Sequence, residues 1–329
     1  MGLRSINNSK SSFDDPYART GLEAADAPPE PYPDGTGEWY GARGIWGGGN
    51  GAVNTIQYVT ISSTSNTSDF GDLSEGRAAP GACSNGSRGC FGGGHNPSDT
   101  KLNTIDYITT SSTGNATDFG DLSQARTSVT ACSDGTRGVW AGGTAASPAG
   151  DVNTIDCVFI ATLANATDFG NLTTARNGAG ACSNGTRGVF AGGNPSNQNT
   201  IDYITIENKG DATDFGDLTV GRRGVSGMSN VSERGIFSGD MAPSTVIDYI
   251  TINSASNATD FGDLTVARAW SGSCSSPTRG VIGGGFQYGG SGSLNTIDYI
   301  TIANTGNATD FGDLESAKND ISALSGAAS

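Results

Sequence analysis

One short element, Asp-Phe-Gly-Asp-Leu or its Asn variant, recurs six times along the chain. Its phenylalanine stands at Phe70, Phe119, Phe169, Phe215, Phe261 and Phe311, with spacings of 49, 50, 46, 46 and 50 residues. A second stretch precedes each copy, cleanest as Asn199-Thr-Ile-Asp-Tyr-Ile-Thr-Ile206. A fixed period in this range means a repeat architecture, in which each unit buries its apolar face only against its neighbours. An array of this kind can be one body of 329 residues rather than two ordinary domains.

Within a unit the pattern predicts four short strands. In the cleanest copy Ala175 to Ser183 is the first strand, and Asn184-Gly185 is a tight-turn signal. The second, Arg187 to Ala191, ends in Gly192-Gly193. After a loop of unlike sequence comes Asn199 to Ile206, rich in β-branched and aromatic residues, and then Asp211 to Leu218 as a short fourth strand. The third strand carries apolar residues on both faces, as expected of a small sheet packed between two others. Fifty-one glycines suit many strands joined by tight turns.

Four-stranded units repeated radially describe a β-propeller. The ends provide an internal check. Arg43 to Gly49 reads as a second strand with no first strand before it, and Ser316 to Ser325 reads as a first strand with no second after it. The two ends are therefore expected to pair and close a six-bladed, all-β ring over residues 39–329, which would remove exposed sheet edges. Residues 1–38 lie outside the repeat. Five of the 11 prolines fall there, which favours extended backbone. We read this segment as an extended N-terminal arm with Phe13, Tyr17, Leu22, Tyr32 and Trp39 as anchors for a neighbouring subunit.

Charge follows the repeat as well. The net charge of −15 disfavours a nucleic-acid partner, yet sixteen of the 33 acids and twelve of the 18 basic residues occupy repeated slots. Arg77, Arg126, Arg176, Arg222, Arg268 and Lys318 form one basic set; Arg43, Arg88, Arg137, Arg187, Arg234 and Arg279 form another. Such a ring of cations could bind an anion on the axis. The matching number of repeated aspartates favours arginine forks onto aspartates or backbone carbonyls instead. Acids such as Asp118 and Asp121 lack the dense spacing of a calcium loop and are expected to bond backbone N–H groups in turns.

Cys83, Cys132, Cys182 and Cys274 share a slot that holds Met228 and Leu324 in the other units. A slot that accepts Cys, Met or Leu is a buried apolar position, so all six cysteines are expected to be reduced core residues without metal. Asn115, Asn165, Asn257 and Asn307 begin glycosylation sequons, but they are one repeated turn, and the start of the chain lacks an apolar signal core. No run approaches the roughly 18 apolar residues of a membrane span. The only histidine, His95, cannot complete a triad or a two-histidine metal site.

The loops after the Gly-Gly doublets share no common sequence, unlike the framework. A constant framework with unlike loops presents a recognition surface, and Phe286, Tyr288 and His95 are the candidate partner-binding residues. No catalytic constellation is present and no cofactor is implied. Copper chemistry needs several histidines, and glycoside hydrolysis needs two carboxylates in distinct environments, whereas the acids here are repeated framework residues.

The unit resembles the kelch repeat: Arg176, the Gly192-Gly193 doublet, Tyr203 and Phe215 stand where that repeat has its arginine, doublet, tyrosine and late aromatic. It departs in carrying Asp-Phe-Gly-Asp-Leu where kelch units usually have tryptophan, and the doublet reads Ser238-Gly239 in one unit. The near-identical copies are also similar to repeats in structural proteins of marine bacteriophages, especially those of cyanobacteria. That resemblance implies a non-enzymatic virion component assembled in the host cytoplasm: a tail, fibre or capsid-associated protein. The arm would be held by other virion proteins, and the loop rim would meet a host glycan or receptor. The alternative is a free, lectin-like propeller that binds carbohydrate or protein.

Overall fold

The repeated unit is short of polar turns on its third strand and apolar on both faces, so its stable form is a small sheet covered on either side by a sheet of the same kind. The computed structural model describes residues 41–230, 233–241 and 244–327. These residues contain 28 strands and no helix, and they lie within one compact unit, Thr36–Ser329. The strands form antiparallel, mostly four-stranded sheets in a β-propeller-like architecture.

Sheet 1 takes strands from both parts of the chain, Ser322–Gly326, Arg43–Gly47, Thr55–Thr60 and Ser68–Asp72 in that spatial order. Ile45 pairs with Leu324 on one side and Tyr58 on the other. Sheets 2 to 6 are continuous in sequence, and their first strands are Gly81–Ser84, Thr130–Ser133, Gly180–Ser183, Ser226–Ser229 and Gly272–Ser275. The first strands of successive sheets lie side by side, and the circuit returns from sheet 6 to sheet 1.

The fourth strand shows how the repeat sequence fits this layout. In sheet 2, Ile105 pairs with Gly120 but Asp106 pairs with Asp118, so Phe119 is an inserted bulge residue that turns into the core. There its ring meets Tyr107 edge-on, with centroids 6.2 Å apart. Gly120 has φ +145°, and a Cβ there would lie 2.7 Å from the carbonyl oxygen of Ala164 in the next sheet. The glycine of the Asp-Phe-Gly element is therefore required by a neighbour as well as by its backbone. This corrects the reading of Asp118 and Asp121 as turn residues: both stand on the bulged strand Thr117–Asp121, and Asp118 is exposed.

All six cysteines are free and buried. The shared slot faces the Arg-Gly glycine of the following sheet: a Cβ on Gly138 would sit 2.7 Å from Cys83 Sγ, and one on Gly235 2.7 Å from Cys182 Sγ. Desolvation pushes the Cys90 thiol up to about 12 and that of Cys157 up to about 11, so neither is a nucleophile at neutral pH.

Sheet 3 departs from its sisters. The other units place a tyrosine over the second-strand arginine, as Tyr203 lies over Arg187 at 4.6 Å. Here Cys157 fills the tyrosine slot, and Phe159, two residues on and therefore on the same strand face, lies over Arg137 at 5.2 Å. The loop after its doublet is also structured. Thr144–Ala146 and Ala149–Asp151 form a hairpin that pairs with Arg126–Thr127 as an additional three-stranded sheet. The repeat pattern predicts only a loop of unlike sequence here, because a hairpin of small residues carries no apolar alternation.

Candidate functional site

The loops after the second strands and the links leading into the first strands share one rim. Backbone bridges join them at Ala78 with His95, Asn177 with Asn194, and Ala269 with Phe286. His95 Nδ1 lies 3.0 Å from Thr127 Oγ1. Phe286 is half-buried on a short strand that pairs with Gly292 and Ser293, and its ring meets Tyr288 at 4.7 Å. Tyr288 is exposed. The structure thus places His95 on the rim of sheet 2, bridged to Ala78, and Phe286 and Tyr288 on the rim of sheet 6, bridged to Ala269 through Phe286. Phe13, Tyr17, Leu22, Tyr32 and Trp39 lie outside the described residues.

The repeated cations serve the framework. Arg77, Arg126, Arg176, Arg222 and Arg268 are buried, and each places Nη2 against an aspartate of its own sheet. Arg176 is typical: Nη2 donates to Asp202 Oδ2 at 2.8 Å, and Nη1 to the Thr200 carbonyl at 3.1 Å. Burial pulls the guanidinium pKa down and the aspartate opposes it. The aspartate also accepts from the preceding sheet, through the Thr173 hydroxyl at 2.7 Å and the Thr173 N–H at 3.2 Å. The second-strand arginines bridge sheets more directly, as Arg88 Nη1 donates to the Ile160 carbonyl at 2.8 Å. Arg137 is the exception, pairing with Asp134 of its own hairpin.

The sequon asparagines are latches of the same kind. Asn115 Oδ1 accepts the Asp72 N–H and Asn165 that of Asp121, and Asn66, at the equivalent place in sheet 1, accepts that of Asp313, which runs from sheet 6 back to sheet 1. Among the described residues no group of three His, Cys, Asp or Glu side chains could hold a metal ion.

Between the first strands runs an axial cavity. Its lower part is lined by the cysteine slot and by serines whose hydroxyls donate to carbonyls of the adjacent sheet, as Ser133 does to Ser84 at 2.5 Å. Its upper part, about 90 Å³, opens on the loop rim. One residue from each link belongs to a frame around that mouth: Ala79, Ser128, Gly178, Trp270 and Asp320 line it, Gly224 joins them through backbone hydrogen bonds, and all six have left-handed φ between +52° and +68°. Backbone hydrogen bonds run head to tail through five steps of this frame. Ala79 N–H donates to Asp320, Ser128 to Ala79, Gly178 to Ser128, Gly224 to Gly178 and Trp270 to Gly224, at 2.7–3.1 Å. Among the described residues no sixth bond joins Asp320 to Trp270, so the frame is open between the two side chains that break its run of small residues. Burial raises the Asp320 carboxyl above the ordinary range, and His95 and a hydrogen bond from Asn319 oppose the shift.

Sequence reading missed this mouth. The signal was present, since aligning the links two residues beyond each basic residue gives Ala, Ser, Gly, Gly, Trp and Asp in one slot. Nothing in the spacing said that the slot lies on the axis.

The fold and rim define an all-β, propeller-like chain with a framework held between sheets by repeated polar latches. Compared with protein-family models and with curated proteins, the chain matches none.

Proposed function

We propose that the six sheets are the blades of one closed, six-bladed propeller and that it is a non-enzymatic display module, carried on a bacteriophage virion as a tail, fibre or capsid-associated protein. The observation that carries the reading is the contrast between framework and rim. The same latches recur from sheet to sheet, including from sheet 6 to sheet 1, while the rim segments share no sequence and differ in form. A rigid body with one unlike rim serves recognition, not turnover. The five framework aspartates support this, because each is held by an arginine and a hydroxyl and has no freedom to move a proton to a substrate. The virion assignment rests on the resemblance of the repeats. In it the N-terminal segment is held by other virion proteins, and the rim meets a host glycan or receptor during adsorption.

The test is mass spectrometry of density-gradient fractions from a lysate of the source, following peptides of this chain against particle-bound DNA. Co-migration with particles in stoichiometric amount is the expected result. Recovery only from soluble fractions would overturn the virion assignment and favour a free carbohydrate- or protein-binding propeller.

A further inference from the structure

Around the axial mouth the near-sixfold regularity of the protein fails at two side chains. Ala79, Ser128, Gly178 and Gly224 keep four positions small, whereas Trp270 and Asp320 occupy the other two and flank the opening in the backbone frame. Trp270 has φ +59°, a conformation unfavourable for a bulky residue and most common at sites where strain serves a purpose. The surroundings are shaped for it. A Cβ at position 178 would lie 2.6 Å from Trp270 Cη2, and one at 224 would lie 3.0 Å from Cδ2 and Cε2. The indole therefore rests against two glycines, and it remains only half-buried.

Asp320 lines the same cavity. Its carboxyl accepts a hydrogen bond from Asn319 Nδ2 at 2.6 Å, and no lysine or arginine pairs with it among the described residues. This differs from the five aspartates of the framework, each neutralised by an arginine. A partly buried carboxylate with no lysine or arginine partner and only His95 as a nearby cationic group, lining the same cavity as a half-buried indole, attracts a cation through both charge and the ring quadrupole.

We propose that the axial mouth between Trp270 and Asp320 binds an ammonium group, such as a lysine side chain or a quaternary amine head group. The volume admits one small head group and no folded chain. The inference deepens the display reading by naming a chemistry for what the rim meets. It depends on that reading only for the rim being free, so an assay on the isolated full chain fails or succeeds independently of the gradient experiment.

The assay is isothermal titration calorimetry with tetramethylammonium, methylammonium and, as a neutral control, a methyl glucoside. Saturable binding of the ammonium ions but not of the glucoside is expected. Tighter binding of tetramethylammonium points to a quaternary source, and tighter binding of methylammonium to a lysine. Trp270→Gly introduces the residue that already occupies this place at 178 and 224, so the fold should persist with an unchanged or higher Tm. Trp270→Gly and Asp320→Asn should each weaken ammonium binding by about tenfold or more. Absence of ammonium binding, a response to the glucoside alone, or undiminished binding in either variant would overturn the proposal.

Discussion

Five sheets bury an arginine–aspartate pair, and sheet 1, assembled from strands near both ends of the described chain, does not. In sheet 4, Arg176 and Asp202 stand 26 residues apart in sequence and meet within one unit. The corresponding place in sheet 1 holds Lys318 and Gln57, both buried. Lys318 Nζ donates to Thr55 Oγ1, 263 residues away in sequence. Gln57 Oε1 accepts from Thr67 Oγ1 at 2.7 Å and from the Glu315 N–H at 2.8 Å. The three replacements are matched: Glu315 stands where the other units have Ser or Thr, and a carboxylate at position 57 would face it. The comparison teaches that the ion pair is not what holds a sheet together, since sheet 1 keeps the same four-stranded pairing without it. A buried carboxylate at 57 would carry the desolvation cost of a charge, which a neutral amide does not.

The largest way to break this comparison is to remove the seam itself. Deleting residues 322–327 strips the first strand from sheet 1 and leaves Arg43–Gly47 as an open edge. We expect loss of most of the stability, on the order of 5–15 kcal/mol, and association of the exposed edge. A cooperative melt at the wild-type Tm, read by calorimetry, would show that the seam does not close the molecule.

Next comes the contrast between a charged and a neutral network. Asp202→Ala leaves Arg176 buried and unpaired and should cost about 3–5 kcal/mol. Gln57→Ala removes an acceptor of neutral hydrogen bonds and should cost about 1–2 kcal/mol. Urea unfolding of the two variants gives the comparison directly, and equal costs would show that the charged and neutral networks contribute alike.

Rebuilding the seam as a sixth regular unit sharpens the point. Gln57→Asp alone should destabilise by about 1–3 kcal/mol, because the new carboxylate is buried near Glu315. Adding Glu315→Thr and Lys318→Arg should recover most of that loss, a non-additivity that a mutant cycle measures.

The smallest expected effect is in pH dependence. Burial lowers the Lys318 pKa below its ordinary 10.5, with Glu315 opposing the shift. The native state therefore gives up this proton at a lower pH than the unfolded state. Between the folded value and 10.5 the unfolded chain binds more protons, so stability contributed by this site rises with pH in that alkaline window. Lys318→Met should remove the rise, and an identical alkaline profile in wild type and variant would contradict the assignment.

Much of the framework was legible because the sequence states it several times. Repetition told a buried cysteine slot from a disulfide pattern, since Met228 and Leu324 share it. It also marked the arginines and aspartates as mutual partners rather than an anion or calcium site. The limits of the strands were less legible. The expected first strand from Ala175 shrinks to Gly180–Ser183, because Gly178 turns into the left-handed conformation at the axial frame. The rim hairpin of sheet 3 was hidden for a similar reason: its small residues pair with Arg126 and Thr127, and local pattern does not encode that contact.

The sequence by itself determined the period, the four-stranded unit, the exchange of strands between the two ends and the structural duty of most charges. Each of these is either local or repeated, and selection for neighbour-to-neighbour packing writes it into every copy. Tertiary structure alone decided which aspartate meets which arginine, that the repeated asparagines latch one sheet to the next, and that Trp270 and Asp320 line one axial cavity. Those facts depend on bringing six distant links to one place, and a contact made once, between units about fifty residues apart, leaves no period to read.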